Sequence, residues 1–282
     1  MVAVATIAAH DHDGAMDHYR AVASRSAAFA QAQSSPFSID VRFTGGLSDR
    51  QQAAFATAAD RWARMIVGDL PAVDVDGETV DDVLVLASGA AIDGAGQILG
   101  QAGPTRVRPA SAGGLPAVGE MQFDTADLAR MEADGTLDDV IAHEMGHVLG
   151  IGTLWTSLLR GRGTDDPRFT GAGAVAQWGA LGGTGAVPVE NTGGAGTREG
   201  HWRETTFGTE LMSGFIAEAQ NPLSRVTVAS LADLGYVVDL DAAEPYTLPT
   251  PSSAAAIVAG PGRRCRVERP RVAVLPESAV DG

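Results

Sequence analysis

Lysine is absent from this chain, and cysteine occurs once, at Cys265. A lone thiol excludes any disulfide within the chain, so the fold must rest on its own core; it assigns neither an oxidising nor a reducing compartment. All 20 basic residues are therefore arginine, and they face 35 acidic ones, for a formal net charge of −15. So acidic a chain is a poor match for nucleic acid, whose phosphates call for a basic surface. The missing lysine fits either a GC-rich coding bias or adaptation to high salt. Long apolar runs are also lacking: none approaches the roughly 20 residues that a membrane span requires. The opening stretch from Met1 to Ala9 has no basic flank and an apolar run only as long as the shortest signal cores, so no intact signal peptide is expected.

What is present suffices for a sizeable core. Apolar residues make up 45% of the 282, enough for one large domain or two modest ones, and the 35 glycines concentrate between positions 77 and 214, where shaped loops are expected. Residues 1–35 read as a flexible lead segment; His10, Asp11, His12, Asp13 and His18 could chelate a metal there but read as a solvated stretch. From Pro36 onward, Phe37, Ile39, Val41 and Phe43 alternate with polar residues at the period of a half-buried strand. Ser48 and Gln51 make a capping-box pattern for a helix with Phe55, Ala59, Trp62 and Ile66 on one face, ended by Gly68 and Pro71. Val83 to Ala87 reads as a buried strand, Gln97 to Gln101 as an edge strand, and Glu120 to Asp124 as a further strand.

A second helix is expected from Thr136, with Asp139 as its capping partner. Leu137, Val140, Ile141, Met145, Val148 and Leu149 make it apolar nearly all round, hence buried, and Gly150 and Gly152 stop it. Glycine-rich loops follow to about Gly200. Asn221 to Ser224 cap a third helix that Gly235 closes, and Tyr236 to Val238 leave it as a short strand. After Pro249 the composition turns to Pro, Ser and Ala, then to arginine, which reads as a flexible tail.

The chemistry lies on the second helix. His143-Glu144-Met145-Gly146-His147 is the H-E-x-x-H pattern. Residues four apart share a helical face, so two imidazoles there can reach one Zn²⁺ at about 2.0–2.1 Å. Glu144, one step round, could touch a water without displacing the metal. A pair of hydrogen-bonded core histidines is the plain alternative, but it leaves a glutamate on a buried helix unexplained. The chain has six histidines, three of them in the lead segment and two on the helix, so elimination leaves His201 as third ligand, 54 residues on (201 minus 147). Glu190, Glu199, Glu204 and Glu210 are carboxylate alternatives by position.

From His143 to Gly150 the sequence resembles the opening of the metzincin zinc signature, H-E-x-x-H-x-x-G-x-x-H. The position of the signature's last histidine holds Thr153. That departure resembles the leishmanolysin-like branch, in which an insertion separates the glycine from the third histidine. Gly193 to Thr197 leading to His201-Trp202, then Glu210-Leu211-Met212-Ser213-Gly214, and the helix from Asn221 to Tyr236 are similar to that branch too. The resemblance spans about Phe37 to Tyr246. It implies that His201 is the third ligand, that Met212 is the turn methionine beneath the metal, that Gly150 allows the sharp turn, and that Glu144 is the general base. Gly214 stands where serralysins carry a tyrosine, so no phenol is expected there, and with Cys265 alone neither the disulfides nor the propeptide cysteine of leishmanolysin carries over.

The fold so implied is α+β, a metzincin-like zincin with a twisted mixed sheet, a buried zinc helix and a C-terminal subdomain across an active-site cleft. Its parts are a lead segment 1–35, an N-terminal catalytic subdomain 36–160, a C-terminal subdomain 161–248 with the third ligand and Met turn, and a flexible tail 249–282. The implied activity is a zinc endopeptidase acting on protein or peptide substrates, with one catalytic Zn²⁺, at the cell surface or outside the cell, the cytoplasm being left open; no membrane span or nucleic-acid partner is expected, and a monomer is favoured with the oligomeric state open. An extended substrate would lie along an edge strand near Ile98 to Gln101. Asp165 and Asp166 are candidates for Ca²⁺. A catalytically silent adhesin-like module of the same fold, and a zincin with a glutamate as third ligand, are the alternatives.

Overall fold

The computed structural model describes residues 7–10, 16–24, 35–96, 99–194, 196–216, 220–250, 263–264 and 267–280. The chain divides into two compact units, Met1–Gly150 together with Glu268–Gly282, and Ile151–Val267. Asp11 to Asp13, Gln97, Ile98, Cys265 and most of the proline- and serine-rich stretch after Pro249 lie outside the described residues.

The first unit is built on a mixed sheet. β1 (Ile7–His10), β2 (Met16–Val22) and β3 (Ser38–Phe43) run antiparallel to one another. After helix α1 (Asp49–Met65) come the hairpin β4 (Val73–Val75) and β5 (Glu78–Val80), then β6 (Val83–Ala90), β7 (Gly100–Val107) and β8 (Pro116–Asp124). β6 lies parallel between β3 and β8, and β7 runs antiparallel on the far side of β8. Helices α2 (Thr125–Asp134) and α3 (Leu137–Val148) follow.

The strands expected around Phe37 to Phe43, Val83 to Ala87 and Glu120 to Asp124 appear, and α1 is opened by the Ser48–Gln51 capping box as read; the edge strand expected at Gln97 to Gln101 instead begins at Gly100 and runs to Val107. Other expectations need correction. The lead segment is not flexible throughout: Tyr19, Ala21 and Ala23 point into the core while His18 and Arg20 pair outward with Asp40 and Asp81. Alternation over this stretch is that of a strand, hidden by small residues on its inner face. The tail is not flexible throughout either. Ala273–Val274 pairs parallel with β7, and Leu275 and Ala279 are buried with Val73, Val80, Leu84, Ala117 and Val118. At α3, Thr136 makes no side-chain cap, its backbone being already helical (φ −99°, ψ −4°), and Asp139 pairs instead with Arg61 of α1 at 2.9 Å.

Packing decides where α3 sits. It lies on α1 and β7, and every residue from Val140 to Val148 is buried. Trp62 of α1 donates its indole N–H to Ala142 O at 2.8 Å, fixing the turn just before His143. On β8, Gly119 leaves room that a side chain would fill: a Cβ there would fall 2.3 Å from Val148 Cγ1. Phe55 joins helix and sheet through edge contacts with Phe43 and Phe123. Arg108 is fully buried, and its guanidinium is satisfied by the carbonyls of Pro71, Asp81, Asp82 and Pro116.

The second unit has little regular structure. β9 (Leu159–Arg160), β10 (Arg168–Phe169) and β11 (Val187–Pro188) form a small antiparallel sheet around α4 (Ala172–Ala180). α5 (Glu204–Phe207), β12 (Phe215–Ile216) and α6 (Arg225–Leu234) follow. Its core is aromatic: Trp155, Phe169, Trp202 and Phe207 stack in sequence with ring centroids 4.9–5.7 Å apart. α6 begins at the Ser224 cap and ends at Gly235 (φ 121°), as read, but Tyr236 to Val238 form no strand; Tyr236 is buried as a single side chain. Among the described residues the structure is a mixed sheet with smaller sheets and six α-helices. Among the described residues no helix is long and apolar enough to cross a membrane.

Candidate metal centre

His143 and His147 stand one turn apart on α3, ring planes nearly perpendicular and centroids 4.8 Å apart. Their Nε2 atoms are 3.1 Å from each other. Two nitrogens bound tetrahedrally to one zinc at 2.0–2.1 Å would be separated by about 3.3 Å, so the pair is spaced for a shared ion. His143 and the adjacent Glu144 are fully buried, and His147 nearly so.

His201 is placed by a turn made of backbone bridges. His201 O accepts from Glu190 N at 2.9 Å, Trp202 N donates to Met212 O at 2.9 Å, and Trp202 bridges both Val189 and Ser213. Nδ1 of His201 lies 2.8 Å from Thr197 O. A carbonyl only accepts, so Nδ1 carries the proton and Nε2 keeps its lone pair, the tautomer a metal ligand needs. Gly152 supports the same turn. Its φ is +73°, and a Cβ there would meet Gly200 O at 2.0 Å, so this glycine is where backbone packs on the residue before His201. His143, His147 and His201 each offer a ligand nitrogen, all within 4.8 Å of one another. Three neutral imidazoles are a donor set suited to zinc.

The carboxylate alternatives do not join that group among the described residues. Glu190 Oε1 takes the N–H of Asn191 and Thr192 and the Thr192 hydroxyl, and its Oε2 takes Glu204 N. Glu210 is wholly buried: Oε1 accepts from Ser224 N (3.0 Å), Ser224 Oγ (2.8 Å) and the Thr227 hydroxyl, and Oε2 accepts from Met212 N (2.6 Å). Thr227 in turn accepts from the Trp202 indole at 2.8 Å. Both glutamates are thus struts: Glu190 ties its own loop to the start of α5, and Glu210 fastens the Met212 turn to the start of α6. Sequence reading treated them as spare ligands; the signal it passed over is a charge embedded among apolar residues, Glu210 beside Leu211 and Met212. Glu199 accepts from Gly163 N. Burial, reinforced by the charge of Glu190, pushes the Glu204 carboxyl up to about 7.

Asp166 is paired with Arg168 and Arg203, which hold its carboxyl below the usual range, and nothing in its surroundings supports the expected calcium at Asp165 and Asp166. Asp69, Asp81 and Asp82 form a second acidic cluster. Its members are engaged by Ser35, Arg20, Ser38 and Leu70, so it reads as structural.

The sequence model described as Leishmanolysin matches residues 98–257, a span that contains His143, Glu144, His147, His201 and Met212. No curated protein matches the chain.

Proposed function

The chain belongs to the leishmanolysin family of metallopeptidases, and from that premise we propose that it is a zinc endopeptidase whose ion is held by His143, His147 and His201. One observation carries the reading: the convergence of the three imidazole nitrogens within 4.8 Å. A zinc ion held there supplies Lewis acidity for the scissile carbonyl and makes water acidic enough to attack near neutral pH. Glu144 is the general base, taking the proton of the attacking water and passing it to the leaving amine. Its full burial suits that role, since a desolvated carboxylate is a stronger base than a solvated one. Thr197 orients His201, and Glu210 holds the Met212 turn. α3 serves as the zinc helix of a metzincin-like arrangement, with Met212 as the turn methionine and Gly150 (φ 109°) as the glycine that turns the chain out of the helix.

The family implies protein or peptide substrates, and we extend to this chain a place at the cell surface or outside the cell. An extended peptide would add to the sheet along β7. A silent adhesin-like module would have no use for a buried glutamate beside the two histidines. The test is cleavage of internally quenched peptides by zinc-loaded protein, with and without chelator, and by the Glu144→Gln variant. Cleavage that needs zinc and Glu144 is expected; cleavage indifferent to both would overturn the reading.

A further inference from the structure

β7 has one edge covered by β8 and one edge that faces outward in the sheet. Pro104, which has no N–H to give a ladder, and the register shifts at Pro104/Arg106 and Arg106/Val107 mark it as an edge strand. A peptide adding to this sheet would take the outer edge. The chain takes it itself. The short strand Val267–Glu268 stands next to β7 in the sheet order, Ala273–Val274 pairs with Arg106–Val107, and Leu275 N donates to Val107 O at 2.8 Å.

The far end of this segment is anchored. Leu275 and Ala279 are buried in the cluster of Val73, Val80, Leu84, Ala117 and Val118, Val280 bridges Val73, and the Ser111 hydroxyl donates to Glu277. Anchoring lowers the entropy cost of laying the preceding residues along β7. Within the stretch so laid down is Arg269, whose guanidinium is pushed below its ordinary range by desolvation, the charge of Glu144 acting against that shift. Glu144 belongs to α3, the helix that packs on β7. Val274 remains 68% exposed, so the strand pairing is not a by-product of side-chain burial at that position.

We propose that residues 267–275 are an autoinhibitory strand, which fills the β7 edge an extended substrate needs. One set of edge amides and carbonyls cannot pair with two strands. A tethered segment competes at an effective concentration of about millimolar, above that of most peptide substrates. The chain is latent until the segment is displaced or cut away. The inference rests on the reading of this chain as a peptidase whose substrate adds to β7. It assigns latency to the C-terminal segment.

The test compares kcat and KM on a quenched peptide for the zinc-loaded full chain, for full-length Arg269→Glu, and for a chain ending at residue 262, with zinc content and Tm measured for each. Arg269→Glu reverses a charge that the field of Glu144 favours and should loosen the segment from β7. Both altered chains are expected to show kcat/KM at least tenfold above the full chain, and a synthetic 263–282 peptide should return the shortened chain to the low rate by raising KM. Should the shortened chain fail to fold, Arg269→Glu decides alone. Equal kcat/KM in the full chain and Arg269→Glu, at equal zinc content and Tm, overturns autoinhibition while leaving the peptidase reading intact. No cleavage by any zinc-loaded form sinks the peptidase reading and the inhibitory strand with it.

Discussion

Nε2 of His143 lies 3.1 Å from Nε2 of His147, on successive turns of a helix that is buried from Val140 to Val148. Two imidazole nitrogens so close share either one proton or one metal ion. The protein is therefore expected to carry one zinc per chain by elemental analysis. Zinc at about 100 times its Kd adds about 2.7 kcal/mol, so chelation should lower Tm by roughly 5 to 10 °C in a chain of this size. His201→Ala should weaken zinc binding at least tenfold; an unchanged zinc content there would place the third ligand elsewhere.

Glu144→Gln keeps the shape of the side chain and removes its basicity. A general base contributes roughly 10²–10⁴-fold to rate, so kcat should fall by that factor with zinc content and KM little changed. Activity within tenfold of the parent would assign the proton transfer to another group.

Glu210 gathers donors from Met212, Ser224 and Thr227 onto one buried carboxylate. Glu210→Ala orphans them, at about 1–3 kcal/mol for each donor left unsatisfied. A fall in urea midpoint should be accompanied by altered visible bands of the cobalt-substituted protein, because the same network holds Trp202, next to His201. Unaltered bands would make Glu210 a stability residue without influence on the metal.

Gly152 adopts φ +73° where a Cβ would overlap Gly200 O. Gly152→Ala should cost at least about 1–3 kcal/mol in strain and overlap, and it should loosen zinc through His201. Wild-type stability and zinc affinity together would show that the close approach of the two backbones is dispensable.

Burial pushes the Asp82 carboxyl up from 3.8 to about 7, against hydrogen bonds from Leu70 and Ser38. A carboxyl whose folded pKa is raised holds protons that the unfolded chain releases. Its contribution to stability is thus full below pH about 4 and is lost as pH rises towards 7, by up to about 1.4 kcal/mol per pH unit. Glu204, also raised to about 7, acts with the same sign. Urea unfolding of the parent and Asp82→Asn should therefore give a stability difference that shifts against the parent between pH 4 and 7. Parallel profiles would mean that Asp82 is ionised throughout.

Much of this protein is written locally. The capping box of Ser48 and Gln51, the apolar stripe of α1, the Ser224 cap and Gly235 stop of α6, and the four-residue spacing of His143 and His147 all depend on neighbours within a turn or two. A chain carries such short-range information in its order of residues, and so these features were legible. The pairing of β2 with β3, of Ala273–Val274 with β7, and of Asp139 with Arg61 joins positions far apart in sequence, through backbone groups that all residues share. No pattern of side chains specifies such partners, which is why both ends of the chain read as flexible. Elimination among six histidines could nominate His201, but its orientation comes from Thr197, Glu190 and the Met212 turn. Only tertiary packing decided that Glu190 and Glu210 would spend their charge on backbone amides, because a buried carboxylate is stable only where the fold supplies donors.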